Sequence, residues 1–132
     1  MDKMYYVVVN GKMRPLNWSM EVMFNTADKF GSVTDALNAI TTETRESVAA
    51  IRWLLVQLVN DAELLRRTEG YEHDPLLTEE DIIIDRPGKY QMYKEAILKA
   101  FDIGYEREVE DPKAEIDLGL AELNSKKEKA GE

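Results

Sequence analysis

The chain has 132 residues, a hydrophobic fraction of 44% and a formal charge of −9 at pH 7. That length suits one domain with its own apolar core, without disulfides or metals to staple it. The charge disfavours direct contact with phosphate backbones or anionic membranes, and no stretch approaches the ~18 continuous apolar residues of a membrane span.

Cysteine is absent, so the chain has neither a disulfide framework nor a thiolate nucleophile, and a reducing cytoplasm is the expected compartment. The first apolar run is cut off at Asn10-Gly11, too short and too β-branched for a signal peptide.

In chain order, the first expected element is a β-hairpin. Met4 to Val9 is β-branched and aromatic, Asn10-Gly11 suits a type I′ turn, and Lys12 to Leu16 returns. Pro15 has no N–H for a ladder, so the return strand must be an edge or end near it. Ser19 then reads as the N-cap of a helix with Met20, Met23, Phe24 and Ala27 on its apolar face, closed by Phe30 and Gly31. Ser32 to Asp35 resembles a second helix start, followed by Ala36, Leu37 and Ile40.

The strongest periodic signal lies between Thr42 and Gly70, where Val48, Ile51, Leu55, Leu58, Ala62 and Leu65 form one stripe. Ala49, Trp53 and Val56 fall on another side, so this helix is either central to the domain or turns an apolar face to a partner. An acidic loop from Tyr71 to Leu77 follows. Thr78-Glu79-Glu80-Asp81 has the cap and early carboxylates of a helix start before Ile82-Ile83-Ile84, and Arg86-Pro87-Gly88 breaks that turn. The last clear helix puts Tyr90, Tyr93, Ile97, Ala100 and Phe101 on one face, pairs Glu95 with Lys99 outward, and takes Gly104 as its cap.

The expected fold is therefore mainly α: a single helical domain over 1–105 with an N-terminal hairpin. The charged tail, 106–132, is either a weak amphipathic helix or a segment without fixed structure until it binds.

No chemistry-bearing constellation assembles along this chain. His73 is the one histidine, and only carboxylates are available to join it, whereas a stable zinc site needs three or four ligands of fixed geometry. The run Glu79-Glu80-Asp81 sits where carboxylates complement a helix dipole, rather than across a cleft as a general acid pair requires. Phosphate-cradling glycine runs, a nucleophile elbow and EF-hand spacing are all missing. The expectation is a protein without cofactor, metal or catalysis that works through its surface. Trp53, Val56 and Tyr71 are its candidate contact residues in the domain, with Leu120 and Leu123 in the tail. An apolar helix face serves a homo-oligomer as readily as a foreign chain.

The order of short phrases has a likeness. Val9-Asn10-Gly11-Lys12 and Pro15-Leu16-Asn17-Trp18-Ser19 lead to a helix ending Lys29-Phe30-Gly31-Ser32. Then come Ile51-Arg52-Trp53-Leu54-Leu55-Val56, Leu77-Thr78-Glu79-Glu80-Asp81-Ile82, and Ala96-Ile97-Leu98-Lys99-Ala100-Phe101 before Gly104. From about residue 4 to 105 this layout resembles the small tail assembly chaperones of long-tailed phages and prophages of Gram-positive bacteria. The resemblance implies a non-enzymatic helical protein that coats the tape measure protein in the host cytoplasm, helps recruit tail tube subunits and is absent from the mature virion. It also implies that a longer, frameshifted product can accompany the short one. A different reading makes the chain an acidic regulatory adaptor or inhibitor, mimicking nucleic acid with the carboxylates from Asp61 to Asp81 and the tail.

Overall fold

The computed structural model describes residues 4–109, and the tail beyond them, with Leu120 and Leu123, lies outside the described residues. Strands β1 (Tyr5–Val9) and β2 (Lys12–Leu16) pair antiparallel, with Val9 opposite Lys12 and Tyr5 opposite Leu16. Asn10 and Gly11 take φ of 53° and 81°, the left-handed pair that a two-residue I′ turn requires. Bonded and non-bonded pairs alternate from the turn, so Pro15, opposite Tyr6, falls where no N–H is needed. Val7, Val9 and Leu16 face the helices and are buried, and Arg14 shares that inner face.

Helix α1 (Met20–Phe30) starts where Ser19 Oγ accepts from the Val22 N–H at 3.2 Å, and ends on Gly31 at φ 99°. Its roll corrects the expectation. Val22 and Thr26 are buried, while Met20 and Phe24 are 54% and 53% exposed. Two residues along a helix is a turn of ~200°, so burying Val22 turns Met20 and Phe24 outward. Tertiary bonds fix the choice: Asn25 Nδ2 donates to Gln57 at 3.2 Å, and Phe30 packs on Trp53.

Helix α2 (Val33–Ala39) starts on Ser32, as its sequence suggests, with Ser32 Oγ accepting from Asp35 N–H at 2.9 Å. Helix α3 (Arg45–Thr68) opens on a reciprocal cap between Thr44 and Ser47. Of the expected stripe, Ile51, Leu55, Leu58 and Ala62 are buried, and Ala50, Leu54 and Val59 join them. The wide apolar face suits its position, because the hairpin and all the other helices pack on α3.

The connector after α3 does not form the helix that Thr78 announces. Only one 3-10 turn, Glu79–Asp81, follows, with the Thr78 N–H bonded to Asp81 Oδ2 at 2.8 Å, and Ile82 is already extended. Side chains of α3 take the connector's backbone groups instead. Asn60 donates to Leu77 O and accepts from Leu77 N–H (3.0 and 2.8 Å), and Arg52 donates to Ile82 O at 2.9 Å. Polar groups satisfied this way no longer need a helix, and three consecutive β-branched residues prefer the extended form.

Helix α4 (Pro87–Val109) opens on Pro87, whose missing N–H is harmless in a first turn. Tyr93, Ala96, Ile97 and Ala100 are buried on the expected face. The expected pairing of Glu95 with Lys99 does not form: Glu95 accepts from Gln91 Nε2 at 3.3 Å. Gly104 is not the cap; the helix runs through it. A Cβ there would lie 2.7 Å from Trp18 Cβ, so glycine lets the indole reach the helix backbone, where it meets Phe101 edge-on at 5.0 Å. No described helix is long and apolar enough to cross a membrane.

Candidate functional site

Among the described residues no group of three or more His, Asp or Glu side chains is arranged to hold a metal ion. His73 is exposed, its Nδ1 3.3 Å from Tyr71 O. The acidic stretch from Asp61 to Asp81 is engaged by the fold in part, while Glu69, Glu72, Glu79 and Glu80 are exposed. Glu63, wholly buried, binds Arg14 at 3.1 Å and accepts from the Asp74 N–H at 2.9 Å, while Arg14 also donates to Pro75 O at 2.6 Å. Asp74 pairs with Lys12 at 3.0 Å, which holds its carboxyl below the usual value. Asp61 takes the Asn17 amide at 2.8 Å; burial pushes its carboxyl up, and bonds from Asn17 and Ser19 oppose that.

Of the sequence-derived contact residues, Trp53 and Val56 are half-buried and pack against the core. Tyr71 is 50% exposed on the connector. The fold does not gather the three into one face: Trp53 lies toward α1, whereas Tyr71 follows the far end of α3, its N–H bonded to Arg66 O at 2.9 Å.

Other exposed apolar groups are ones the periodicity assigns to the core or leaves unassigned. Met20 and Phe24 stand one turn apart on the outer side of α1. Leu64, also exposed, lies three residues beyond Asp61 on the α3 face beside the start of α1. Val8 and Met13 pair across the outer face of the hairpin. A legible signal for α1 existed in Val22 and Thr26, a second stripe half a turn from the first.

Open grooves indent the surface of the described residues. One of about 550 Å³ runs along Ile82–Asp85 beside Arg52, Glu79 and Glu80. Another of about 450 Å³ lies between the starts of α3 and α4 over Val48 and Tyr90. A third, of about 240 Å³, opens beside Phe30 and Trp53. No family model matches the chain, and neither a curated protein nor a solved structure matches it.

Proposed function

We propose that this chain is a polypeptide-binding protein without catalysis, and specifically a phage tail assembly chaperone that binds the tape measure protein, keeps it soluble and helps recruit tail tube subunits. The observation that carries the reading is the outward pair Met20 and Phe24, each more than half exposed on a helix capped at both ends. A capped helix holding two apolar side chains one turn apart is a ready half of a helix-in-groove or helix-on-helix contact. Methionine adds a side chain that refits to differing partners.

The strength of such a contact suits a chaperone. Completing the burial of two half-exposed side chains yields about 2 kcal/mol, too little for a lasting complex with one copy. Separate copies along a long, striped partner bind independently unless they also touch one another, so each is held weakly and can be shed singly. The net charge of −9 keeps a coated array soluble. The nucleic-acid-mimic reading needs carboxylates free along one face; Asp61, Glu63, Asp74 and Asp81 are bonded to Asn17, Arg14, Lys12 and Thr78, which thins that array to the exposed Glu69, Glu72, Glu79 and Glu80.

Co-expression with a tape measure protein encoded beside this chain, followed by pull-down and size-exclusion chromatography, tests the reading. The expected product is a soluble complex with several copies of this protein per partner, the partner being insoluble alone. No complex and no change in the partner's solubility would refute it.

A further inference from the structure

Phe30 ends α1, and Trp53 projects from α3 toward it. Their rings meet edge to face, centroids 5.6 Å apart and planes 79° apart. Rings near a right angle make a corner, and Lys29 Nζ stands in it, 5.5 Å from the Trp53 centroid and 5.8 Å from that of Phe30. The corner opens onto the groove of about 240 Å³, whose other walls include the carboxylate-bearing Glu46 and Glu79. Neither Glu46 nor Glu79 has an ion-pair partner among the described residues, Lys29 included. Two carboxylates without an ion pair among the described residues, two aromatic rings and one ammonium thus line the same groove.

We infer that this groove seats a cationic side chain, arginine or lysine, carried by a polypeptide partner; the inference rests on the polypeptide-binding reading above. The π faces of tryptophan and phenylalanine attract cations, and Lys29 already takes that position in the corner without forming an ion pair among the described residues. The groove is smaller than the about 300–1,000 Å³ of small-molecule sites, which suits one side chain. Arginine fits better than lysine, since a planar guanidinium stacks on an indole while its edge donates to carboxylates. Glu46 and Glu79 are exposed and Trp53 is half-buried, so the seat is reachable. Trp53 is then a contact residue for charge, not only for apolar area.

The chain's two tryptophans make the test direct. The full protein is titrated with N-acetyl-argininamide and, separately, with uncharged N-acetyl-norleucinamide, following the indole N–H signals by ¹H–¹⁵N NMR. The seat predicts a saturable shift of the Trp53 signal with argininamide, little change at Trp18 and a much weaker effect of norleucinamide. Glu46→Gln and Glu79→Gln should each weaken binding roughly two- to fivefold, as for an exposed ion pair, and added salt should weaken it further. Lys29→Gln, at an exposed position that needs no repacking, should tighten it by vacating the corner. An unmoved Trp53 signal, an equal response to norleucinamide, or indifference to both carboxylate substitutions would overturn the seat. Those results leave the Met20–Phe24 reading standing. Intact argininamide binding without any tape measure complex would overturn that reading alone.

Discussion

Replacing Arg14 by methionine strands the Glu63 carboxylate inside the protein. The Arg14 and Glu63 side chains are 7% and 0% exposed, and two guanidinium nitrogens reach Glu63 Oε2 at 3.1 and 3.3 Å. After the substitution only the Asp74 N–H, at 2.9 Å, still serves that carboxylate. Removing one partner of a buried ion pair costs about 3–5 kcal/mol, a large share of the about 5–15 kcal/mol that holds a domain together. In urea, with a slope of about 2 kcal/mol/M, the midpoint should fall by about 2 M. Glu63→Leu should do the same by stranding the guanidinium. The double variant, Arg14→Met with Glu63→Leu, loses only the bonds to Asp74 N–H and Pro75 O, so its loss should fall short of the sum by at least about 2 kcal/mol. Single variants losing less than about 1 kcal/mol, or losses that simply add, would refute the idea that this pair anchors the hairpin and connector to α3.

Gly104→Ala should destabilise by about 1–3 kcal/mol from overpacking, although alanine ordinarily gains a helix about 1 kcal/mol over glycine. Thermal melts and Trp18 fluorescence would register it, and a stabilised variant would mean that the indole does not sit on the helix backbone. Tyr90→Phe removes a hydroxyl that accepts from Glu43 N–H at 3.1 Å and donates to Ile40 O at 2.9 Å. A loss of about 1–2 kcal/mol is expected, since that hydroxyl braces Glu43 at its left-handed φ of 58°. Asp61, its carboxyl raised by burial above 3.8, binds protons more readily folded than unfolded, so its charge lowers stability as pH rises through that window. Asp61→Asn should therefore gain on the parent protein at about pH 7 and lose that advantage at about pH 3.5, by urea midpoints. Asp74, lowered by Lys12, has the opposite sign: its contribution is present above 3.8 and is lost as the pH falls through its lower folded value.

Local chemistry made most of the fold readable. Asn10-Gly11 fixed the hairpin turn, Ser19, Ser32 and Thr44 cap the helices they precede, and the stripe through Ile51, Leu55, Leu58 and Ala62 marks the inner face of α3. Except for Glu95, which turns to its neighbour Gln91 one helical turn away, the misreadings share one cause, a tertiary partner distant in sequence. Val22 and Met20 offer α1 two nearly equivalent faces, and the bond from Asn25 to Gln57 decides between them. Gly104 looks like a cap until Trp18 lies against it. The capping pattern at Thr78 forms, but Asn60 and Arg52 hold the next residues extended. The candidate surface was the least legible for the same reason. Exposure of Met20 and Phe24 follows from the roll of α1, and the buried Glu63 is one more acid in an acidic stretch until Arg14 reaches it.

Whether the outer face of α1 holds a polypeptide is decided by co-purifying a tape measure protein with this chain and with its Met20→Ser/Phe24→Ser variant. Both positions are more than half exposed, so the variant should fold with its stability within about 0.5 kcal/mol of the parent protein. The parent chain should retain the tape measure protein in solution with several copies per partner, and the folded variant should lose it. Equal retention by both, or none by either, would contradict that role for α1.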